Sequence, residues 1–189
     1  MKAKHIVVIG VSTGGPMTLK ALFNELPPLN AAFLVVLHIT PEMDFRIAQG
    51  IAASASMPAE LAQDGAFMKS GHIYLAPGGY HLKVEGNHRF ALYTGPRVNY
   101  VQPSVDVTMF SFTRQSAGQL IGVILTGMGR DGALGLKHMK EIGATTIAQD
   151  QKSSVIYGMP KAALETGAVD YVLPPLGIAT KLVELLGGG

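Results

Sequence analysis

Apolar runs and helix-like segments alternate along most of this chain. Short runs rich in β-branched residues, bounded by glycine or proline, predict strands near 5–10, 33–38, 72–76, 120–126, 144–148 and 169–173. Apolar residues at helical spacing predict helices at 16–26, 43–55, 105–116, 132–142, 158–166 and 177–186. Such alternation is typical of an α/β fold, here a doubly wound, mainly parallel sheet with helices on both faces.

One region, residues 72–94, departs from this alternation. It holds three short apolar runs, separated by the turn formers Pro77-Gly78-Gly79 and Glu85-Gly86-Asn87. Short runs with tight connections are typical of antiparallel pairing. We therefore expect a small antiparallel hairpin region beside the main sheet.

Length and composition limit the class of protein. The chain has 189 residues, 48% hydrophobic and 15% charged, which excludes a disordered chain and predicts a single domain over residues 1–186. The glycines at 187–189 are expected to form a disordered tail. A formal net charge of +2, without a cluster of Lys and Arg, indicates no nucleic-acid partner.

The sequence also limits compartment and metal chemistry. Its longest uninterrupted apolar run, Ala31 to Leu37, is far shorter than the ~20 residues that span a bilayer, and no signal peptide is evident. We therefore expect no membrane insertion and a cytoplasmic location. The absence of cysteine excludes disulfides, thiolate metal sites and a cysteine nucleophile. The histidine spacing predicts no metal site, and of the histidines other than His38 only His81 is expected near a site, as a spectator.

Three polar side chains follow predicted buried strands. Ser12 comes just after the run Ile6 to Ile9, His38 closes the run that begins at Phe33, and Asp131 lies in the loop after Leu125. In an open α/β sheet, ligands bind at the carboxyl ends of the parallel strands. Adjacent first and second strands would place Ser12 and His38 side by side, so the pattern predicts a hydrolase with a Ser–His–Asp triad.

The segment Gly10-Val11-Ser12-Thr13-Gly14 fits the G-x-S-x-G nucleophile elbow in the required strand–turn–helix context. A phosphate-binding turn or a purely structural turn fits this segment alone about equally well. The dinucleotide-binding pattern, however, has a second glycine where Ser12 stands and an acidic residue where His38 stands. A serine nucleophile, in contrast, needs a base such as histidine.

Two roles are open for Asp131. It could cap the helix that is predicted to start near Gly132, a common role for aspartate. It could instead accept a hydrogen bond from Nδ1–H of His38, and the glycines before it favour this second role. Asp106 and Asp150 compete for that role, although Asp106 belongs more simply in the first turn of a helix. The chain order Ser, His, Asp differs from the order Ser, Asp, His of the α/β-hydrolases.

At these residues the chain resembles a known family over nearly its full length: the catalytic domain of CheB, the chemotaxis protein-glutamate methylesterase. The segments that carry the resemblance follow one another in the family's order: Ile9 to Gly15, Leu37 to Pro41, Ile73 to Gly78, Val98-Asn99, Pro103 to Asp106, Gly122 to Ala133 and Tyr157 to Pro160.

The resemblance implies that Ser12 is the nucleophile, His38 the base and Asp131 the carboxylate that orients it. It also implies an oxyanion site near the backbone of Thr13 and Met128. The activity it implies is a cofactor-free serine carboxylesterase that hydrolyses glutamyl methyl esters on the cytoplasmic helices of methylated chemoreceptors. The same site would also deamidate receptor glutamines.

Several features depart from the family's pattern. Leu37-His38-Ile39-Thr40-Pro41 differs from the usual surroundings of the histidine, Gly79 replaces a common acidic residue, and Tyr100-Val101-Gln102 replaces a more basic stretch. These differences leave the receptor partner open. The family's N-terminal receiver domain is not expected here, because the first strand begins almost at Met1. We therefore expect an open site, regulated by a receiver domain in trans if at all. A nucleotide-binding module and a catalytically silent docking domain are the alternative classes.

Overall fold

The structure, a computed structural model, describes residues 3–114 and 118–187. Nine strands and six α-helices occupy these residues. The strands are β1 (His5–Val11), β2 (Ala31–Leu37), β3 (Ala59–Leu61), β4 (His72–Leu75), β5 (His81–Glu85), β6 (Arg89–Tyr93), β7 (Leu120–Ile124), β8 (Thr145–Gln149) and β9 (Tyr171–Leu173). The helices are α1 (Gly15–Glu25), α2 (Pro41–Ser54), α3 (Val105–Phe110), α4 (Ala133–Glu141), α5 (Gly158–Glu165) and α6 (Pro175–Leu186).

Seven strands form one parallel sheet in the order β3-β4-β2-β1-β7-β8-β9. β1 lies at its centre, with β2 on one side and β7 on the other. The sheet grows from β1 in two directions along the chain. β2 and β4 are added on one side of β1, and β7, β8 and β9 are added on the other. Ligands in doubly wound sheets bind at such a point, so the loops after β1, β2 and β7 converge where a site is expected.

The sheet is buried on both faces, which explains why its strands are almost continuously apolar. On one face, Val7, Ile9 and Val11 of β1 pack with residues of α1, α2 and α6. On the other face, Ile6 and Val8 pack with residues of α3, α4, α5 and the β5–β6 pair. This arrangement confirms the predicted doubly wound sheet with helices on both faces.

The antiparallel region is smaller than the sequence predicts. β5 and β6 form a two-stranded antiparallel sheet, as expected. The first run of the predicted region is instead β4, which pairs in parallel with β2 in the main sheet. Its buried Ile73 and Leu75 extend the core on one face of the sheet while Tyr74 faces the other, which an isolated hairpin would not provide.

Smaller differences concern the ends of elements. β3, with the sequence Ala-Glu-Leu, was not predicted, because it lacks β-branched residues. The predicted helix over 105–116 ends at Phe110, and its last two positions lie outside the described residues. Of the predicted disordered tail, Gly187 ends α6 by donating its N–H to the Val183 carbonyl at 2.7 Å, and the other two glycines lie outside the described residues. Within the described ranges, no helix is both long and apolar enough to cross a membrane.

Candidate active site

The turn after β1 presents Ser12 between the sheet and α1. The Ser12 carbonyl accepts a 2.8 Å hydrogen bond from Gly15 N–H, which closes the turn, and α1 starts at Gly15. Gly14 has a φ of +81°, a conformation that favours glycine, and a Cβ there would lie 2.6 Å from Cγ2 of Val155. Glycine at 14 is therefore required by both the turn and its packing.

The loop after β7 is fastened to this turn. Ser12 N–H donates to the Thr126 carbonyl at 2.9 Å, and the buried Thr126 hydroxyl donates to the Thr13 carbonyl, also at 2.9 Å. The same hydroxyl accepts a 3.0 Å hydrogen bond from Ile156 N–H. One threonine side chain thus joins the serine turn to two other loops at the carboxyl edge of the sheet.

Gly127 allows this close approach. A Cβ at this position would lie 2.3 Å from Sδ of Met159 and 2.7 Å from Cβ of Ser12. Both distances are too short for non-bonded contacts with sulfur or carbon, so only glycine brings the loop this close to the serine. The backbone of the β7 loop therefore borders the Ser12 side chain directly.

His38 reaches the same edge from β2, and Asp131 from the loop after β7. His38 N–H donates to the Val11 carbonyl at 3.2 Å, which fixes the end of β2 against the end of β1. Nε2 of His38 lies 2.7 Å from Oδ2 of Asp131. The structure thus brings the three predicted residues to one edge and joins two of them directly.

The hydrogen-bonded ring nitrogen differs from the sequence prediction. That prediction assigned Nδ1–H of His38 to Asp131, whereas the carboxylate bonds Nε2. The prediction was wrong because side-chain torsions choose the nitrogen, and residue order carries no information on them. Nδ1 has no hydrogen-bond partner among the described residues, and Ser12 Oγ likewise has none there. Nδ1 is therefore the ring nitrogen that remains unpaired within the described residues.

Asp131 is held by more donors than His38 alone. Its side chain is buried, with the residue only 2% exposed. Oδ2 accepts hydrogen bonds from His38 and from the backbone N–H of Val105, the latter at 2.7 Å. Oδ1 accepts hydrogen bonds from Asn99 Nδ2 at 2.7 Å, Ser104 Oγ at 2.8 Å and Asp106 N–H at 3.1 Å.

Asp131 also caps a helix, but not the helix that the sequence suggested. Its carboxylate accepts the N–H groups of Val105 and Asp106, which open α3. The start of α4 is capped instead by Asp106, whose Oδ1 accepts from Gly132 N–H at 3.0 Å and Gly135 N–H at 2.7 Å. The two aspartates therefore cap each other's helices, and Asp131 both caps a helix and contacts His38.

These contacts have opposite effects on the two carboxylates. Burial alone would raise the pKa of Asp131, but hydrogen bonds from His38, Asn99, Val105 N–H and Ser104 outweigh it and hold that pKa below its usual value. Burial raises the pKa of Asp106, and the nearby negative charge of Asp131 raises it further. Asp131 is therefore the carboxylate that stays ionised beside His38.

The backbone N–H groups proposed for an oxyanion site are available. Thr13 N–H and Met128 N–H donate no hydrogen bond to any described residue. Thr13 follows Ser12 directly, and Met128 follows Gly127, which borders the Ser12 side chain. Met128 is 69% exposed, so this part of the edge faces solvent. Free N–H groups next to a serine hydroxyl are suited to binding a developing negative charge.

The other histidine expected near the site is buried against the β5–β6 pair. His81 is only 1% exposed and its Nε2 pairs with the Pro96 carbonyl at 2.9 Å. The ring also packs against Tyr93 of the β5–β6 pair. Among the described residues, no group of three or more His, Cys, Asp or Glu side chains is placed to hold a metal ion. His81 thus packs within the hairpin region, and its expected place near the site stays a prediction.

Two residues of the site were not predicted as such from the sequence. Asn99 and Ser104 donate to Asp131, and both belong to segments that the family resemblance had already marked. A cavity of about 220 Å³ opens beside His38 and is lined also by Arg97 and Tyr100. Tyr100 is 92% exposed. The cavity therefore lies open to solvent directly beside His38.

The fold and the site define a doubly wound α/β domain with serine, histidine and aspartate at the switch point of its sheet. A sequence model described as CheB methylesterase matches residues 7–182. The chain belongs to this family.

Individual relatives agree. The chain is 39% identical over 194 residues to a protein-glutamate methylesterase/protein-glutamine glutaminase of Pyrococcus horikoshii, covering 99% of this chain and 53% of that protein. It is 41% identical over 187 residues to a protein of the same name from Symbiobacterium thermophilum, covering 98% and 52%. The chain thus spans about half the length of the curated relatives it matches.

A solved structure is also similar. The catalytic domain of the Thermotoga maritima CheB methylesterase has a TM-score of 0.92 and 39% sequence identity, over 98% of this chain and 100% of that one. The similarity therefore extends over the entire sheet and its surrounding helices.

Proposed function

We propose that this chain is a serine carboxylesterase that hydrolyses glutamyl methyl esters on the cytoplasmic helices of chemoreceptors. The observation that carries the proposal is the 2.7 Å contact between His38 Nε2 and Asp131 Oδ2 at the sheet edge that also presents Ser12. Asp131 fixes the imidazole tautomer with the proton on Nε2, so Nδ1 is left as the base. The relatives' name and the family both support this chemistry.

In the first half of the reaction, Nδ1 of His38 takes the Ser12 proton as Oγ attacks the ester carbonyl. The hydrogen bond between Ser12 and His38 would form as substrate enters, since such bonds are often loose in unliganded sites. The N–H groups of Thr13 and Met128 hold the oxyanion, and a single such donor is worth about 10²–10³ in rate. The imidazolium returns its proton to the departing methoxide, which leaves as methanol.

In the second half, water attacks the glutamyl-serine ester. Nδ1 takes a proton from that water, and the proton passes to Ser12 Oγ as the acyl–oxygen bond breaks. The products are a glutamate side chain and the regenerated serine. The same steps with an amide nitrogen as leaving group would convert glutamine to glutamate and ammonia. The chain therefore needs no cofactor for either reaction.

Two assays test the proposal. One measures the methanol released from a methylated receptor fragment, and the other measures the ammonia released from the same fragment with glutamine at the modified positions. We expect both products, with ammonia slower because an amide is the less reactive acyl donor. Binding of a dinucleotide without either product would instead favour the nucleotide-binding class.

The proposal extends to partners and location. Residues 1–186 would act as one catalytic unit in the cytoplasm, where the receptor helices lie. The exposed Met128 and Tyr100 provide apolar area around the site for contact with a helix. A receiver domain acting in trans would regulate access by covering this surface. Titration of a separate receiver domain into the methanol assay tests this part.

A substitution at Gly127 tests whether the position of the β7 loop beside Ser12 affects kcat. Gly127→Ala places a methyl group against Ser12 and Met159, which forces the loop away from the serine. We expect kcat to fall about 100-fold, the order that a 1 Å misplacement can cost. Gly86→Ala is the control, because a Cβ there meets nothing within 4 Å. Wild-type kcat in Gly127→Ala would contradict the assigned position of the Met128 donor.

A further inference from the structure

The loop between β6 and α3 is exposed, and the side-chain amide of one of its residues, Asn99, reaches buried carboxylates. Asn99 and Tyr100 adopt left-handed φ values of +53° and +67°. Val98 and Val101 close the loop with two reciprocal 3.1 Å backbone hydrogen bonds. Such φ values are unfavourable for residues with a side chain, and strained positions of this kind are found near functional sites. The tight turn brings Asn99 Nδ2 to the buried aspartates.

One amide group bridges the two carboxylates. Asn99 Nδ2 donates to Asp131 Oδ1 at 2.7 Å and to Asp106 Oδ2 at 2.8 Å. Both acceptors are buried, at 2% and 5% exposure. An amide nitrogen has two hydrogens, so both are used here, one on each aspartate. Asn99 therefore stabilises two like charges without adding a charge of its own.

The hydrogen bond from Asn99 matters to Asp106 because it is made to an oxygen that the backbone donors do not reach. Asp106 Oδ1 has two backbone donors, but Asn99 is the single partner of Oδ2 among the described residues. Without Asn99, this oxygen would be left unpaired close to Asp131. Two carboxylates that share a site without a donor between them compete for a proton. Asp131 would keep its four other donors, but its orientation and charge would be held less firmly.

We propose that Asn99 is a positioning residue of the Ser–His–Asp site. It holds Asp131 aligned on His38 Nε2 through its own hydrogen bond to Oδ1, and its second hydrogen bond to Asp106 offsets the repulsion between the two neighbouring carboxylates. The proposal rests on the proposed esterase function for its kinetic consequence, but its structural part concerns the Asp131–His38 contact alone. A hydrogen bond to a charged group contributes about 1.5–3 kcal/mol, so its loss corresponds to about a 10- to 100-fold fall in rate.

The charged groups around Asn99 determine how the test depends on pH. His38 from β2, Asp131 from the β7 loop and Asp106 from α3 meet at its amide, and Arg97 lines a cavity shared with Asn99 and Tyr100. A carboxyl at position 99 could donate one hydrogen bond while it is protonated. Once ionised, it would add a third negative charge. Asn99→Asp should therefore lose activity, relative to wild type, as the pH rises.

The experiment compares Asn99→Gly and Asn99→Asp with Asn87→Gly. Glycine accepts the left-handed φ, so it removes the amide without adding strain. Asn87 lies in the β5–β6 turn with a similar φ of +62°, which makes Asn87→Gly a matched control. Two readouts are needed: kcat and KM for a small activated ester, p-nitrophenyl acetate, across pH, and the downfield proton NMR resonance of His38 Nε2–H.

For Asn99→Gly we expect kcat to fall about 10- to 100-fold with little change in KM, and the resonance to shift or broaden. Asn87→Gly should leave both readouts as in wild type. An unmoved resonance in both Asn99 variants would overturn the proposal, whatever happens to kcat. A shifted resonance in a protein whose wild type hydrolyses no ester would support the positioning role and overturn the proposed function. If Asn99→Gly does not fold, Asn99→Asp gives the same two readouts.

Discussion

Replacing Ser12 by alanine is expected to abolish ester hydrolysis and leave folding nearly unchanged. The Ser12 side chain makes no hydrogen bond within the described residues, whereas its backbone N–H and carbonyl fasten the turn and are unchanged by the substitution. Loss of a serine nucleophile costs about 10⁶ in kcat in a well-studied hydrolase. We expect a fall of that order in methanol release, with a melting temperature within a few degrees of wild type.

The control and a second measurement separate chemistry from folding. Ser54→Ala removes a hydroxyl at the far end of α2, where it bonds the Gly50 carbonyl, and should leave turnover unchanged. A serine-directed phosphonate should label wild type at Ser12 and fail to label Ser12→Ala. Retention of more than about a tenth of the wild-type rate in Ser12→Ala would exclude a covalent serine mechanism.

The positions of the three site residues could be predicted because they depend on features that a sequence carries. The apolar runs before Ser12, His38 and Asp131 mark strand ends, and parallel strands bring their carboxyl ends to one edge. The pairing of β1 with β2 then follows from the usual adjacency of consecutive elements. Gly14 and Gly127 were also identifiable, since close backbone approach favours glycine.

What could not be predicted depends on side-chain torsions and on contacts between distant segments. The ring nitrogen that His38 presents to Asp131 is set by rotamer choice, which the residue order does not encode. The reciprocal caps of Asp106 and Asp131 join residues that lie 25 to 29 positions apart along the chain. From the sequence, capping a helix and contacting His38 were alternative roles for Asp131. In the structure, Asp131 does both.

The same reasoning explains why β4 was placed in the hairpin region. Its run is followed by Pro77-Gly78-Gly79, a turn signal that normally joins antiparallel strands. Here the turn instead carries the chain past the start of α2, where a Cβ at Gly78 would lie 2.6 Å from the Thr40 carbonyl carbon. The glycine serves a close contact between loops, and turn residues alone do not distinguish this use from a hairpin.

The second large effect is expected from His38 and Asp131, which should behave as one unit. His38→Ala should be nearly as damaging to kcat as Ser12→Ala, because the proposed mechanism assigns the proton of Ser12 to His38 alone. Asp131→Asn should be somewhat less damaging, because the imidazole is still bound in part. The double variant should be no worse than His38→Ala alone, since groups that act together lose their effects only once. Additive losses would show that the two residues act separately.

Stability provides the second readout for the pair. In Asp131→Asn, an NH₂ group replaces one of the two carboxylate oxygens. Oδ2 accepts two hydrogen bonds and Oδ1 accepts three, so either orientation of the amide leaves buried donors without an acceptor. Each unpaired buried donor costs about 1–3 kcal/mol, so we expect the free energy of unfolding to fall by several kcal/mol, about 3 or more. His38→Ala removes one donor and should change stability much less. A loss of stability in Asp131→Asn without a loss of rate would assign the aspartate to helix capping alone.

The pH dependence of unfolding tests the same assignment without an activity assay. The pKa of folded Asp131 lies below its ordinary value of 3.8, which approximates that of the unfolded chain. Its ionised form therefore stabilises the fold fully above about pH 4, and this contribution is lost as the pH falls through the lowered folded value. The difference in unfolding free energy between wild type and Asp131→Asn should thus be constant near neutral pH and shrink in acid. A difference that stays constant through the acid range would show that the negative charge of Asp131 contributes nothing to the fold. The pKa of Asp131 would then be the same in the folded and unfolded chain, so the hydrogen bonds from His38, Asn99 and the α3 backbone would not lower it.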